Sequence, residues 1–392
     1  MSNWQLTQLT HGSAERAYHA HSYYDIRVFD TTSRYIAAHR THFAERPPTA
    51  DDRIEIGIID LDKDGEWKTI GSSTAWSWQQ GPMAQWVPGR AQLVWNDREG
   101  RRFVTRLHDM DTGQTRTLPQ PTYAIDPSGG FGMSLNMARL DAVRPGYGYV
   151  GGRGAQLRSR HSRRDGVWRQ NLDDGKTELV LSLHRAVRFL YAQLGVRTSL
   201  RYRLNHYRYW FNHVKLSPDG TRFTVKLRFR GTGKNSGWND TMGVSLTCGA
   251  DGKDLRLLSN ATSHVIWLDN QSLYLWRVDG FYLYEDAAPK GRVLRQIAPE
   301  SLGKNAHVRY FPGSEDRFVY DTPYQETIDL LIYDETEHTA LPIAQFGNHD
   351  PKNGPYRCDL HPCPSPDGQK IVVTSLADGG RQLYLLKREP TD

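Results

Sequence analysis

A four-residue motif, Ser-Pro-Asp-Gly, occurs twice in the second half of the chain, and each copy ends a similar segment. The first closes residues 213–220, which begin with His213, and the second closes residues 361–368, which begin with His361. Proline fixes φ, aspartate hydrogen-bonds to its own backbone and glycine accepts a positive φ, so the motif predicts a tight turn between strands. An alternating strand pattern follows, as in residues 370–374. We interpret both segments as copies of one β-hairpin.

Less regular versions of this hairpin recur along the chain and define a repeat of roughly 40 to 50 residues. Further units begin near His264 and His307, and earlier ones near Trp86 and Ala124. Counting from Tyr24 gives seven units. This period is typical of propeller blades built from four short antiparallel strands.

The repeat therefore predicts an all-β fold, a seven-bladed β-propeller with four-stranded antiparallel blades that occupies residues 1–392 as one domain. Aromatic residues make up 11% of the chain, and such side chains favour strands. The best helical pattern covers residues 184–194, and we expect it to form a short insertion between the third and fourth blades. Propellers bind ligands at the ends of a central channel, so we expect function there.

Charge and cysteine content narrow the classes of partner. Lys and Arg number 50 against 44 Asp and Glu, which gives a net charge of +6 with both signs mixed along the chain. This mixture does not indicate nucleic-acid binding, whereas a mild basic excess fits an anionic ligand. The three cysteines lack disulfide spacing, and no apolar run follows the first residue. We expect a cytoplasmic protein with no nucleic-acid or membrane partner.

Four histidines recur at the entries of the predicted inner strands of the later units: His213, His264, His307 and His361. If these strands line the channel, the imidazoles converge near its axis together with the Cys358 thiolate, and such groups bind divalent metals. We predict a metal site formed by His264, Cys358 and His361, with His307 as a candidate fourth ligand. The alternative is that each histidine only satisfies buried backbone groups of neighbouring blades.

The segment from Arg144 to Tyr149 follows a predicted strand over residues 132–140 and places two glycines around Tyr147. Glycines let a backbone approach a ligand closely, and neighbouring arginines such as Arg144 and Arg163 would lower the pKa of the phenol. Tyr147 is therefore a candidate acid or base, and Tyr149 a candidate substrate-binding residue. The alternative is a glycine-rich bend with packed tyrosines.

A third cluster combines the aromatic segment 207–213 with the cationic strand 226–230. Such a combination suits an acidic sugar, because a ring such as Tyr209 stacks on a pyranose and Arg228 or Arg230 can pair with a carboxylate. An ordinary strand pair with a charged outer face is the alternative. The chain has no nucleophile elbow, phosphate loop or dinucleotide fingerprint, which argues against the common hydrolases and nucleotide-binding proteins. A glycoside hydrolase that uses paired carboxylates remains an alternative.

Several of these segments together resemble the oligogalacturonate-lyase-like propellers, relatives of the polysaccharide lyases that cleave pectic oligomers, ulvan and rhamnosyl-glucuronate caps. The segments that carry the resemblance are 134–136, 144–149, 211–213, 263–267, 321–322 and 357–362. The likeness runs from about Gly81 to Tyr384. It implies a seven-bladed fold, a divalent metal (Zn, Mn or Ca) at the channel, and cleavage of an acidic oligosaccharide by β-elimination at a uronic acid.

The resemblance also implies roles for individual residues. His264, Cys358 and His361 would match the metal positions, His213 the histidine base of the pectic branch, and Tyr147 the tyrosine of the ulvan branch.

One position departs from the ulvan-type pattern, because Met83 stands where those lyases carry a histidine. We therefore expect His213 and Tyr147 to share the acid and base roles, with Arg144 or Arg163 holding the carboxylate. Two other functions remain as alternatives: a non-catalytic propeller that binds a glycan or a protein, and a glycoside hydrolase on the same fold.

Overall fold

The computed structural model describes residues 3–12, 17–44, 46–152, 159–232 and 238–390. Over these ranges the strands form seven four-stranded antiparallel sheets. The chain is thus a seven-bladed β-propeller, which confirms the predicted fold class.

Six of the seven blades are built from four strands that follow one another in the chain, and blade 7 combines strands from both ends of the chain. Blade 1 contains β2 to β5 (Tyr18–Ala20, Tyr35–Thr41, Ile54–Asp60, Glu66–Ser73), blade 2 contains β6 to β9 (Gln85–Trp86, Gln92–Glu99, Arg102–Asp109, Thr115–Leu118), and blade 3 contains β10 to β13 (Ala124–Ile125, Phe131–Ser134, Gly166–Asn171, Thr177–Ser182). Blade 4 contains β14 to β17 (Tyr207–Leu216, Arg222–Gly231, Met242–Gly249, Arg256–Ser259), and blade 5 contains β18 to β21 (Ser263–Trp267, Ser272–Arg277, Gly280–Glu285, Arg292–Ile297). Blade 6 contains β22 to β25 (Val308–Tyr310, Arg317–Asp321, Ile328–Asp334, Thr339–Phe346), and blade 7 contains β26 to β28 (Cys363–Pro364, Lys370–Ser375, Gln382–Arg388) together with β1 (Trp4–Gln8).

Blade 7 joins the two ends of the chain. Strand β1 pairs antiparallel with β28, so that Trp4 lies opposite Arg388 and Gln8 opposite Tyr384. This pairing covers the outer edge of β28 and closes the ring. The repeat count, which began at Tyr24, did not include this strand.

The Ser-Pro-Asp-Gly turns form as predicted. The Gly220 amide donates to the Ser217 carbonyl at 2.9 Å, and the Gly368 amide donates to the Ser365 carbonyl at 2.9 Å. Both glycines have positive φ, 71° and 67°, a conformation that other residues adopt only at a cost. The motif thus identified two inner hairpins correctly.

Three α-helices interrupt the strands: α1 (Met137–Val143), α2 (Leu183–Gln193) and α3 (Val196–Leu204). Short 3-10 turns occupy Leu61–Lys63, Trp238–Asp240 and Pro351–Tyr356. Helix α2 lies between blades 3 and 4 and confirms the predicted insertion, which continues into α3. No helix in the described ranges is long and apolar enough to cross a membrane.

Helix α1 replaces the end of a predicted strand. The sequence pattern suggested a strand over residues 132–140, but β11 ends at Ser134. The Asn136 side chain accepts a hydrogen bond from the Arg139 amide and caps a helix whose Met137 and Leu140 are buried. The strand prediction was wrong there because a local cap overrode the apolar run.

Candidate active site

Irregular backbone marks the entry of several inner strands. His213, His264 and His361 have φ values of 53°, 45° and 50°, and Met83 of blade 2 has 55°. Register shifts surround His213 in blade 4 and His264 in blade 5, as expected for β-bulges, which re-aim side chains. A positive φ costs on the order of 1–3 kcal/mol at a residue other than glycine, so the surrounding structure must hold these conformations. Such strain is common at functional sites.

The histidines at these entries lie together in the protein interior. The ring centroid of His307 is 4.5 Å from that of His264 and 4.7 Å from that of His361. Tyr23 of blade 1 packs between His361, at 4.6 Å, and His213, at 5.1 Å. We call this end of the channel the histidine mouth, defined by His213, His264, His307 and His361. The sequence pattern does not single out Tyr23.

Three side chains in the histidine mouth could hold a metal ion. His307, Asp359 and His361 each offer a ligand atom, and these atoms lie within 4.8 Å of one another. The Nδ1 of His307 lies 2.9 Å from Asp321 Oδ2, which leaves Nε2 available as the ligand. Asp321 also accepts the His307 backbone amide at 2.8 Å. A carboxylate that orients the far side of a ligating imidazole is a common feature of metal sites.

The partners of His361 also fit a cation. Its Nε2 is buried without a hydrogen-bond partner among the described residues, and it lies 3.9 Å from Asp359 Oδ2. Asp359 Oδ2 also pairs with the Arg357 guanidinium at 2.9 Å, so a metal ion would share this carboxylate with Arg357. A buried polar atom without a partner is costly, and a bound cation would satisfy it. Two imidazoles and a carboxylate suit divalent metals such as Mn or Zn.

The other two predicted metal ligands differ in their placement. His264 contacts the His307 ring, and its Nδ1 lies 2.7 Å from Asn305 Oδ1, so its Nε2 could supply a fourth ligand. The Cys358 Sγ lies 3.6 Å from the Thr374 carbonyl, and burial raises the pKa of the thiol to about 11. The candidate ligand group among the described residues contains Asp359 and not Cys358, and the role of Cys358 as a ligand stays a prediction.

Asp359 and His361 come together at an irregular part of the backbone. His361 has a φ of 50°, and its Nε2 lies 3.9 Å from Asp359 Oδ2. The amide of Thr374 donates to the Leu360 carbonyl, so this stretch runs beside β27. The signal that could have revealed the carboxylate is the Asp-x-His spacing, whereas the prediction rested on the shared position of the histidines in the repeat and on the resemblance.

His213 has a neutral imidazole held by two polar neighbours. Its Nδ1 lies 2.6 Å from the Tyr123 hydroxyl and 3.2 Å from Gln80 Nε2. Burial lowers the pKa of His213 well below its usual value, and the nearby Lys226 and Lys215 lower it further. The ring therefore stays uncharged at neutral pH and can accept a proton.

Tyr147 faces His213 edge to face, with ring centroids 5.9 Å apart. The Arg144 guanidinium lies over its ring at 3.7 Å, and Arg357 Nη2 lies 3.5 Å from its hydroxyl. Burial alone would raise the pKa of Tyr147, but these two arginines outweigh it and lower the pKa. The phenol is therefore a better proton donor than an ordinary tyrosine.

The glycine before Tyr147 allows the backbone to pack closely against another segment of the chain. Gly146 has a φ of 90°, and a Cβ there would lie 2.6 Å from the Pro355 carbonyl oxygen. The Gly146 carbonyl also accepts the Gln79 amide. This differs from the interpretation that the glycines admit a ligand.

Buried cations surround this pair. Burial lowers the pKa of Arg228 to about 9, and the Arg144 charge contributes. The pKa of Lys226 is lowered well below its usual value by burial, and then by Arg228 and Lys215. The charges of Arg144 and Arg228 lie close enough to repel each other, so the histidine mouth favours an anionic ligand.

The four other predicted site residues lie elsewhere. The Tyr149 hydroxyl accepts from Asn96 Nδ2 at 2.9 Å, and the Tyr209 hydroxyl lies 3.0 Å from that of Tyr191 in α2. The Arg230 guanidinium lies 5.9 Å from the Trp210 ring, and Arg163 is exposed near His184, whose pKa is lowered by burial and then by Arg163. In the described ranges, none of the four contacts the clustered histidines.

Comparison with solved structures supports the expected resemblance at the level of the fold. An oligogalacturonate lyase in complex with manganese aligns over 98% of this chain and 93% of its own, with a TM-score of 0.60 and 14% identity. An oligogalacturonate lyase from Vibrio parahaemolyticus aligns over 97% and 93%, with a TM-score of 0.58 and 10% identity. No family model and no curated protein matches the sequence. At such identities the likeness establishes a shared fold over nearly the whole chain.

Proposed function

We propose that this protein is a lyase that cleaves a uronic-acid-containing oligosaccharide by β-elimination. The observation that carries the proposal is the pairing of a neutral His213 with an acidified Tyr147, whose rings are 5.9 Å apart beside buried cations. One group can take a proton while the other gives one, which elimination requires. The fold shared with two oligogalacturonate lyases supports the same reaction class.

Substrate binding begins with the carboxylate of the uronic acid. Arg144 and Arg228 bring positive charge into the histidine mouth, and Arg228 is only 7% exposed. A carboxylate placed there relieves the repulsion between the cations. Charge neutralisation also makes the C5 proton of the sugar more acidic, because the carbanion that develops at C5 is stabilised through its carboxylate.

His213 then removes the C5 proton. Nε2 carries the lone pair in the tautomer whose Nδ1–H donates to the Tyr123 hydroxyl, and in that tautomer the Gln80 amide presents its oxygen, not its nitrogen, to Nδ1. The depressed pKa keeps this atom unprotonated at neutral pH. The electrons of the C5–H bond form the double bond between C4 and C5.

Tyr147 completes the reaction by protonating the leaving oxygen. The bond between C4 and its glycosidic oxygen breaks, and that oxygen takes the phenolic proton. The products are an unsaturated uronate and a fragment with a free hydroxyl. Arg144 and Arg357 stabilise the phenolate that remains, which is why they lower the pKa of Tyr147.

A divalent metal fits beside this pair. His307, Asp359 and His361 would hold it, with His264 as a fourth candidate ligand. When bound, such an ion supplies positive charge that polarises a substrate carboxylate. Manganese agrees with the nitrogen and oxygen donors, and one lyase of this fold is complexed with it.

The test is ultraviolet absorbance of the conjugated double bond during incubation with a panel of uronic-acid oligosaccharides. A rise is expected for the native protein and not for the His213→Ala, Tyr147→Phe double variant. Tyr191→Phe is the matched control, because its hydroxyl pairs with Tyr209 away from the histidine mouth. Cleavage to saturated sugars would instead identify a hydrolase, and tight binding without turnover would identify a binding protein.

A further inference from the structure

A second opening lies at the other end of the channel from the histidine mouth. It is a cavity of about 480 Å³, lined by the inner strands of blades 2 to 7 and by residues 25–29 of blade 1. Its lining residues follow the histidines in sequence, as Val214 follows His213 and Arg309 follows His307. Since inner strands run from the histidine mouth, the cavity lies at their far ends.

A buried ion pair separates this cavity from the histidines. Lys215 Nζ lies 2.9 Å from Asp25 Oδ2, and both side chains are buried. Tyr24 lies 3.5 Å from Lys215 through its hydroxyl and packs against the His307 ring at 4.9 Å. Lys215 and Asp25 therefore offset each other's charge at the floor of the cavity.

Two further arginines line the cavity without a counter-charge. Arg27 is exposed and Arg309 is half-buried, and neither side chain forms a hydrogen bond or an ion pair with another described residue. Both side chains line the same cavity, which brings their charges to one concave surface, and burial and then the Arg309 charge lower the pKa of Arg27. Like charges in a concave site repel, and a bound anion removes that cost.

We propose that this cavity binds a small polyvalent anion, held between the guanidinium groups of Arg27 and Arg309. Guanidinium groups present paired donors that match the oxygens of phosphate and carboxylate groups. The volume of about 480 Å³ suits a small molecule rather than a polymer. We call this end of the channel the arginine mouth, defined by Arg27 and Arg309.

The test is isothermal titration calorimetry of the full chain at low ionic strength, with inorganic phosphate and, separately, with citrate. Binding of at least one is expected, and the better ligand shows whether a phosphoryl or a polycarboxylate group is recognised. The Arg27→Gln, Arg309→Gln double variant should bind at least tenfold more weakly. The matched control is Arg101→Gln, Arg102→Gln, which removes the same charge from two exposed positions and should bind as the native protein does.

Two results would overturn the proposal. One is the absence of binding of either anion to the native protein. The other is unchanged affinity in the double variant, which would assign the binding to the cations of the histidine mouth. Arg27→Gln alone provides a second variant, because its exposed side chain can be replaced without disturbing the core, and it should also weaken binding. The proposal would also fail if the Arg27→Gln, Arg309→Gln variant and the Arg101→Gln, Arg102→Gln control lost affinity equally.

Discussion

The two mouths of the channel are built from the same inner strands but differ in backbone and in packing. At the histidine mouth, His213, His264 and His361 adopt strained conformations, and their rings lie in contact with other aromatic rings. At the arginine mouth the same strands continue regularly and leave an open cavity. Reactive groups are therefore concentrated where bulges re-aim side chains, whereas the cavity of about 480 Å³ lies at the other end of the channel.

The sharpest test of this division removes the proposed proton-transfer groups. His213→Ala or Tyr147→Phe should each lower kcat by roughly 10²- to 10⁴-fold, because general acid or base catalysis typically contributes that much. Anion binding at the arginine mouth should not change. The measurement is the initial rate of double-bond formation beside calorimetry with phosphate. Full activity in both variants would remove the histidine mouth as the site of elimination.

The second largest effect concerns the metal ligands. Asp359→Asn should weaken Mn²⁺ binding about 100-fold or more, and Asp321→Asn roughly 10- to 100-fold, because outer carboxylates orient ligating imidazoles. Cys358→Ser is the control and should change affinity by less than about twofold, since its Sγ lies against the Asp359 and Thr374 carbonyls and outside the group formed by the ligand atoms. If calorimetry instead showed a large loss of affinity for Cys358→Ser and little loss for Asp359→Asn, Cys358 would be the ligand, as the sequence analysis predicts.

These ligands show how far the sequence leads. Repeated turns such as Ser217–Gly220 were sufficient to predict the blades, because the residues that form a turn are neighbours in the sequence. Closure by Trp4–Gln8 depends on pairing with the far end of the chain, which no local pattern reveals. The capped helix Met137–Val143 hides within an apolar run, and Asp359 is recognised only once the backbone direction at position 361 is known.

The residues of the two mouths also differ in how well the sequence predicts that they lie together. The four histidines recur at one place in the repeat, so their positions in the sequence are enough to group them. Arg27 and Arg309 share no motif, and they come together only because blades 1 and 6 both line the same end of the channel. Tyr23 and Tyr24 were likewise missed, because blade 1 is the least regular unit.

A smaller effect is expected in the pH dependence of the elimination. His213 must be neutral, and its pKa lies well below 6.5, so activity should persist as the pH falls through 6.5 and be lost only at lower pH. Tyr147 must be protonated, and its pKa is lowered from 10, so activity should fall before pH 10 is reached. The profile of kcat/KM reports both limbs. An acidic limb at or above pH 6.5 would point to a different base.

The smallest expected effect is that of the arginine mouth on the elimination. The Arg27→Gln, Arg309→Gln variant should change kcat/KM by less than about twofold, because both side chains line the cavity and neither contacts His213 or Tyr147. The paired Lys215 and Asp25 also stand between these arginines and the histidines. The Arg101→Gln, Arg102→Gln variant corrects for the loss of overall charge. A large fall in kcat for the first variant alone would show that the two mouths are coupled through the buried ion pair, and the division drawn between them would then fail.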